Sequence, residues 1–440
     1  MTAPPARGHA RLLAHRVAVA GLVLLFPASI LSSRVAGPLF WLLALTGLGL
    51  LAARRGAALP PDRRLRLALA LAALGPLVLN IVSVVVHGRP GSAITTMPFL
   101  ALPLLLVLAL RVGFEARHLM RAAMLGAAAA LGAALLGLVV YGAERADITM
   151  NAILFGQGAL SFAVLALLGL AWRLPTRWPV MAAAAAVAGF FAFLMAGYRG
   201  GLLALPIVLA ALPWLAAARR IRASRQARSP QQARSPRPPR RPGALTLVLS
   251  AISAVAVIGL AVTISPLSSR LGQIDDEIAG YAAGRIDNSS VGARMAMWQA
   301  ATTMLAERPV FGVGARGFQA ALARMQREGR FPADVALFDH AHSTYLTVAA
   351  EYGLVGLVVL AAVVVALWRL LGVGDAAVRR IGRALLACWL AFALTNDVLA
   401  HQTTQRLLVL MVAVCCAAAV ARIGAPNRPQ TSQHTTGHHR

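Results

Sequence analysis

"STYLTVAAEYGLVGLVVLAAVVVALW", residues 343–368, is the stretch that decides the fold. Its single carboxylate is Glu351, and from Leu354 onward it contains no polar residue before Trp368. About 20 predominantly apolar residues are needed for a helix to cross a hydrocarbon core, so this stretch reads as a transmembrane helix. It is approached through "DHAH" (339–342), so Asp339, His340 and His342 crowd against its first turn, which carries Ser343 and Tyr345.

Runs of the same kind recur along the whole chain of 440 residues: 16–33, 35–53, 65–87, 92–110, 118–141, 150–172, 178–197, 201–218, 244–264, 343–368, 384–399 and 404–421. Hydrophobic residues make up 59% of the chain, charged residues 13%, and mean hydropathy is +0.71. These values exclude an ordinary soluble domain. Barrel strands would alternate in polarity, and these runs do not. The sequence predicts an all-α polytopic membrane protein with about 12 transmembrane helices and a helical external loop region. Its basic start followed by an apolar stretch reads as a first span rather than a cleaved signal, because further spans follow at once.

The formal net charge of +27 comes from arginine alone, for the chain has no lysine. The connections alternate in charge. The N-terminal segment, the loops at 54–66, 111–121, 173–177, 219–241 and 369–383, and the C-terminal tail hold 29 arginines against 13 on the other side. The positive-inside rule then makes both termini cytoplasmic. Four parts follow: helices one to nine over 1–264, with a basic cytoplasmic loop at 219–243 expected to be disordered; a periplasmic helical segment over 265–341; helices ten to twelve over 342–423; and a disordered cytoplasmic tail over 424–440.

"RRIRASRQARSPQQARSPRPPRR" (219–241) repeats "QARSP" and lacks the interleaved aromatics that base stacking would need. It reads as a topology-setting loop touching lipid headgroups rather than as a nucleic-acid site. Cys388, Cys415 and Cys416 all lie in apolar runs and suggest neither a metal site nor a disulfide. "DDE" (275–277) reads as solvated surface, and no metal or other cofactor is expected.

Two amphipathic helices are predicted in the external segment. One spans 289–309, apolar at Met295, Trp298 and Leu305 and stopped by Pro309; the other spans 315–329, with Phe318, Leu322 and Met325 at i, i+4 and i+7. They are expected to lie across the mouth of the bundle.

Ionisable groups at the edge of a membrane bundle are costly and mark function by default. Those at outer span ends include His87, Tyr198, Arg199, Asp397, His401 and Arg406. Arg199, in "MAGYRGGLLAL", is either an arginine reaching for headgroups or a cation aimed at a lipid-borne phosphate. Arg294, four residues before Trp298, is either a cation–π partner or a second such cation. If a helix begins near 340, His342 shares a face with Tyr345, Gly353 and Gly356, while Glu351 points away.

These residues resemble a known pattern. "HS-x9-G-x-x-G" (His342, Ser343, Gly353, Gly356), "YRGG" (Tyr198 to Gly201) and "R-x3-W…RP-x-FG-x-G" (Arg294, Trp298, Arg308, Pro309, Phe311, Gly312, Gly314) are similar, in that order, to the signature of the O-antigen ligase and polymerase superfamily. The span layout, with one large external loop before the histidine helix, is similar too. Family members often have Ser before the Arg of "YRGG", and ligases often have a small hydroxyl residue where Leu357 stands here.

The resemblance implies a GT-C type glycosyltransferase. Its donor would be an undecaprenyl-diphosphate-linked O-antigen and its acceptor a lipid A–core sugar, within a bacterial inner membrane and with a periplasmic active site. His342, poised near neutral pH, would be the general base of an inverting, metal-independent displacement. Arg199 and Arg294, with Tyr198 and Tyr345, would hold the diphosphate, and His340, Asp339, Arg316, His87 and Asp397 are supporting candidates. An O-antigen polymerase using another O-unit as acceptor is the alternative, and a lipid-linked glycan transporter is the alternative from another class. The protein-glycosylating branch usually has an extra external domain, which this layout does not provide.

Overall fold

The computed structural model describes residues 6–53, 62–88, 93–170, 178–208, 210, 273–282, 290–331 and 338–421. Every regular element among them is helical. The helices are α1 (Ala6–Leu31), α2 (Ser33–Ala52), α3 (Arg63–His87), α4 (Ala93–Leu100), α5 (Leu102–Arg111), α6 (Ala116–Leu135), α7 (Ala152–Gly169) and α8 (Trp178–Met195). A short 3₁₀ turn at Arg199–Ala204 is followed by α9 (Ile274–Ala282), α10 (Ser290–Glu307), α11 (Phe318–Arg327), α12 (Thr344–Leu370), α13 (Ala376–Thr395) and α14 (Gln402–Ala421).

The helix ends follow local chemistry. Asp62, Asn151 and Asp375 turn their side chains onto the free N–H groups that open α3, α7 and α13. Gly88 closes α3 in the left-handed conformation, with φ 63°.

The chain is a polytopic membrane protein, and eight of its described helices are long and apolar enough to span a bilayer: α1, α2, α3, α6 with its π-helical last turn, α7, α8, α12 and α14. Four of the twelve expected runs are not among them. The run at 92–110 is broken into α4 and α5 at Ala101, next to Pro98 and Pro103. Of the run at 384–399, residues 384–395 close α13, an amphipathic helix with Arg379, Arg380 and Arg383 in its first turns. Of 201–218 only the beginning is described, and 244–264 lies outside the described residues, as do the loop at 219–243 and the tail at 424–440.

Burial sorts the helices. In α7 and α14 nearly every residue is covered, so these two form the centre, whereas α1, α2 and α12 show broad apolar faces. Val85 is 78% exposed, Val180 74% and Val358 69%, a band that only lipid tails can solvate. Small residues allow the tight crossings. A Cβ on Gly47 of α2 would stand 2.1 Å from the Leu104 carbonyl oxygen of α5, and one on Gly75 of α3 would stand 2.4 Å from Val363 of α12.

A second, smaller core lies at one end. Phe318, Leu322 and Met325 of α11 are buried there, as their spacing predicts. The buried face of α10 is Ala293, Ala296, Met297, Ala300, Ala301 and Met304; the expected Met295, Trp298 and Leu305 flank it, each half-buried. Both helices pack on Ala341 and Ala350 at the start of α12.

The two glycine motifs join at this point. α12 is broken at Gly353 (φ 63°, ψ −153°). In a continuous helix Leu354 and Val355 would donate to the carbonyls of Ala350 and Glu351. Instead they donate to Pro309 (2.8 Å) and Val310 (3.2 Å), while Ala350 and Glu351 accept from Val313 (2.9 Å) and Gly314 (2.9 Å). Two helical bonds are exchanged for four bonds to the loop after α10, and none of the eight groups involved is stranded. Gly353 thus makes room for a loop and not for a neighbouring helix. It admits backbone: Cβ atoms on Gly353 and Gly312 would stand 2.5 Å from Val310 and 2.4 Å from the Ala350 carbonyl oxygen.

Candidate active site

The segment before α12 is held from several sides. The indole Nε1–H of Trp298 donates to the Ala341 carbonyl (3.0 Å), and Ala341 N–H donates to the Thr347 hydroxyl (3.2 Å). Ser343 donates to the Ala393 carbonyl of α13 (3.4 Å). Between these anchors His342 takes the left-handed conformation, with φ 48°. It therefore precedes the helix instead of sharing a helical face with Tyr345 and Gly353, which corrects the periodicity reading. A non-glycine residue in that region is strained, and such strain is kept where the surroundings over-determine it.

The His342 ring lies 4.4 Å from that of His340, centroid to centroid, and 5.8 Å from that of Phe338. Its Nδ1 is buried with no hydrogen-bond partner among the described residues. Burial, then the neighbouring His340 and Arg294, push its pKa down to about 3, so the ring is neutral throughout the physiological range and not poised near neutrality. His340 differs. Burial opposes charge on its ring, but a 2.5 Å bond from Nδ1 to Asp339 and the nearby Asp397 carboxylate outweigh that and raise its pKa. The same bond to His340 holds the exposed Asp339 down at about 2.

Tyr198 is buried, its hydroxyl set between Thr395 (3.1 Å) and Gln157 (3.5 Å). Gly200 and Gly201 let this turn lie against α13 and α8. Added Cβ atoms would stand 2.0 Å from the Thr395 hydroxyl and 2.4 Å from the Phe193 ring. Arg199 follows Tyr198 at the start of this turn, and the charge of Arg294 acts on both the Tyr198 hydroxyl and the His342 ring. The turn, α10 and the histidine segment thus converge at one end of the bundle.

A cavity of about 640 Å³ opens beside them. Arg316, Asp339, His340 and Asp397 line it, while His342, Arg199, Arg294, Tyr198 and Tyr345 do not. His340 is the point of contact between the cavity and the His342 group. Two lining atoms, His340 Nε2 and Gln405 Oε1, are buried without a partner among the described residues. Buried polar atoms left in this state suit a hydroxyl-rich ligand.

Tyr345 donates to the Leu390 carbonyl (3.0 Å) and ties α12 to α13. His87 bonds the Phe311 carbonyl (3.2 Å) and so docks the glycine loop. The Glu351 carboxylate receives the backbone N–H groups of Arg316 and Phe318, and so caps α11 from within α12. No group of three His, Cys, Asp or Glu side chains that could hold a metal ion occurs among the described residues.

Residues 184–361 match the sequence profile of the family described as O-antigen ligase. That match covers 178 of the 440 residues. No curated protein matches the chain. The matched region runs from within α8 to within α12, so it takes in the Tyr198 turn, α10, the glycine loop, His342 and the break at Gly353. Thr395, Asp397 and His401 come from outside it.

Sequence reasoning had no role for Thr395 or for the indole N–H of Trp298. Neither has a signal in periodicity, because each acts on a residue far away in the chain. His401 stood only among polar span ends, and its ring lies 6.1 Å from that of His340.

Proposed function

We propose that the protein transfers a glycan from undecaprenyl diphosphate to a sugar hydroxyl of lipid A–core, at the periplasmic face of a bacterial inner membrane. The observation that carries this reading is a neutral, conformationally strained His342, its Nδ1 buried and unpartnered, beside Arg294 and next to a cavity with orphaned polar atoms. The acceptor oxygen bonds to the anomeric carbon as the bond from that carbon to the diphosphate oxygen breaks, and the acceptor proton passes to the His342 imidazole. A single displacement inverts the anomeric carbon. Arg199 and Arg294 take the charge that collects on the leaving diphosphate, since paired guanidiniums make bidentate, charge-assisted bonds to phosphate without a metal. Placing the diphosphate near His342 also offsets the cationic neighbours that lower its proton affinity, which makes the ring a better base once the donor is bound. Tyr198, buried and bonded to Thr395 and Gln157, fixes the start of the turn that carries Arg199.

The test is glycan transfer by purified His342→Ala and Arg199→Ala proteins, with donor binding measured separately. His342→Ala should bind donor and transfer nothing; full transfer by that variant sinks the base assignment. Arg199→Ala should weaken donor use, and normal affinity with normal turnover sinks the clamp. In a deletion strain, bare core with lipid-linked polymer is the expected lipopolysaccharide pattern, and core carrying one repeat unit would reassign the protein as a polymerase.

A further inference from the structure

A second concavity, of about 380 Å³, lies on the other side of the glycine loop. Val313 and Gly317 face it, while Ala315 and Arg316 of the same loop face the larger cavity, so the loop is the wall between the two. Its polar lining is His87, Arg308, Arg324 and Arg327. Arg308 follows α10, and Arg324 and Arg327 stand one turn apart on α11, so two elements aim like charges into one space.

The nearby carboxylates do not balance these charges. Glu307 is bonded to Arg330 (2.6 Å) and Arg324 (3.1 Å), and Glu328 to Arg330 (2.6 Å) and Arg324 (3.7 Å). Arg308 and Arg327 have no ion-pair partner among the described residues. Convergent guanidiniums repel one another unless an anion lies between them, and the guanidinium fork fits phosphate. The height of the site narrows the choice of anion. His87 is the last residue of the spanning helix α3, so the groove sits level with that helix end, where a lipid carries its head group.

We propose that this groove binds the phosphate groups of the acceptor glycolipid and orients its sugar across the glycine loop, towards the larger cavity lined by His340. This rests on the proposed function for the source of the phosphate, but not for the existence of an anion site. The arginines hold the lipid at its phosphorylated end and take no part in the displacement.

The experiment measures binding to the full chain in neutral detergent, by thermophoresis, with four probes: bisphosphoryl lipid A, the same lipid dephosphorylated, phosphatidylglycerol and inorganic phosphate. Bisphosphoryl lipid A should bind at least about tenfold more tightly than its dephosphorylated form, a preference that weakens with added salt. The Arg308→Gln/Arg327→Gln protein should lose that preference. Its KM for acceptor should rise about tenfold with donor KM and kcat unchanged, which misfolding would not produce. An unaltered preference in the double variant overturns the proposal. Equal binding of phosphatidylglycerol overturns it in favour of a general anionic-lipid site, and tight binding of inorganic phosphate alone overturns it in favour of a soluble ligand. The His342→Ala protein should still bind bisphosphoryl lipid A like the unaltered chain, so failure of the transfer chemistry and failure of the groove read out separately.

Discussion

Replacing Gly353 by alanine attacks the exchange that joins α12 to the loop after α10. At φ 63° and ψ −153° the backbone occupies a region open in practice only to glycine, and the new Cβ would stand 2.5 Å from the backbone of Val310. Relief requires the loop to leave, which breaks four hydrogen bonds. If α12 then closes into a regular helix it regains two, a net loss of two bonds, or about 2 kcal/mol. If it does not close, all four bonds stay lost, about 4 kcal/mol. The expected destabilisation is therefore roughly 2–4 kcal/mol, with the anchors of His342 loosened as well. The assay is thermal unfolding of the purified protein in detergent, followed by tryptophan emission, with transfer activity measured in parallel. Gly49→Ala in α2 is the control, for nothing lies within 4 Å of its added Cβ, and a helical glycine replaced by alanine gains about 0.5–1 kcal/mol. If Gly353→Ala unfolds at the same temperature as Gly49→Ala and keeps full activity, the interlock does not hold the site.

Gly200→Ala should destabilise the Tyr198 turn by driving a Cβ onto the Thr395 hydroxyl, and Thr395→Ala in the same protein should restore part of the loss, a non-additivity read from unfolding midpoints. Tyr198→Phe should cost about 1 kcal/mol by the same assay, because its hydroxyl is shared between Thr395 and Gln157. The Asp339–His340 pair gives a pH signature. Asp339 is depressed from 3.8 to about 2, so its contribution is present above pH 3.8 and fades as pH falls towards 2. His340 is raised above 6.5, so its contribution is full below 6.5 and fades as pH rises through its folded value. Asp339→Asn should flatten the unfolding midpoint against pH at both limits, and an unchanged profile would refute the pairing. Because His342 is neutral above about pH 3, kcat/KM should show no acid limb from this group between pH 5 and 8; a limb near 6.5 would contradict its burial beside two cations.

Long apolar runs made the spanning helices legible, because a bilayer demands a length that composition alone reveals. The buried face of α11 was legible as well, at Phe318, Leu322 and Met325. The division at Ala101 was not, since an apolar run shows no periodicity to break, although Pro98 and Pro103 were visible. The candidate site was legible as a set of residues but not as a geometry. Helical spacing put His342 in line with Gly353, whereas both residues leave the helical conformation: a distant loop supplies the hydrogen bonds at Gly353, and Trp298, Thr347 and Ala393 hold the residues beside His342. The partners that Trp298, Thr395 and Glu351 find are non-local, and no window of sequence contains them. The arginine groove was hidden for a different reason. In a chain whose only basic residue is arginine, Arg308, Arg324 and Arg327 look ordinary until folding brings them to face one space.

The exchange at Gly353 also fixes chain length. Pro309 and Val310 give up two carbonyls and Val313 and Gly314 give up two N–H groups, all to a helix whose own register is set by its packing on α3. Inserting or deleting one residue between Val310 and Val313 would slide one pair of bonds past the other and leave polar backbone facing a membrane helix. Most loops absorb such changes in length, but this one behaves as part of the span. α10 and α11 are thereby geared to α12, and a displacement of either is felt at His342.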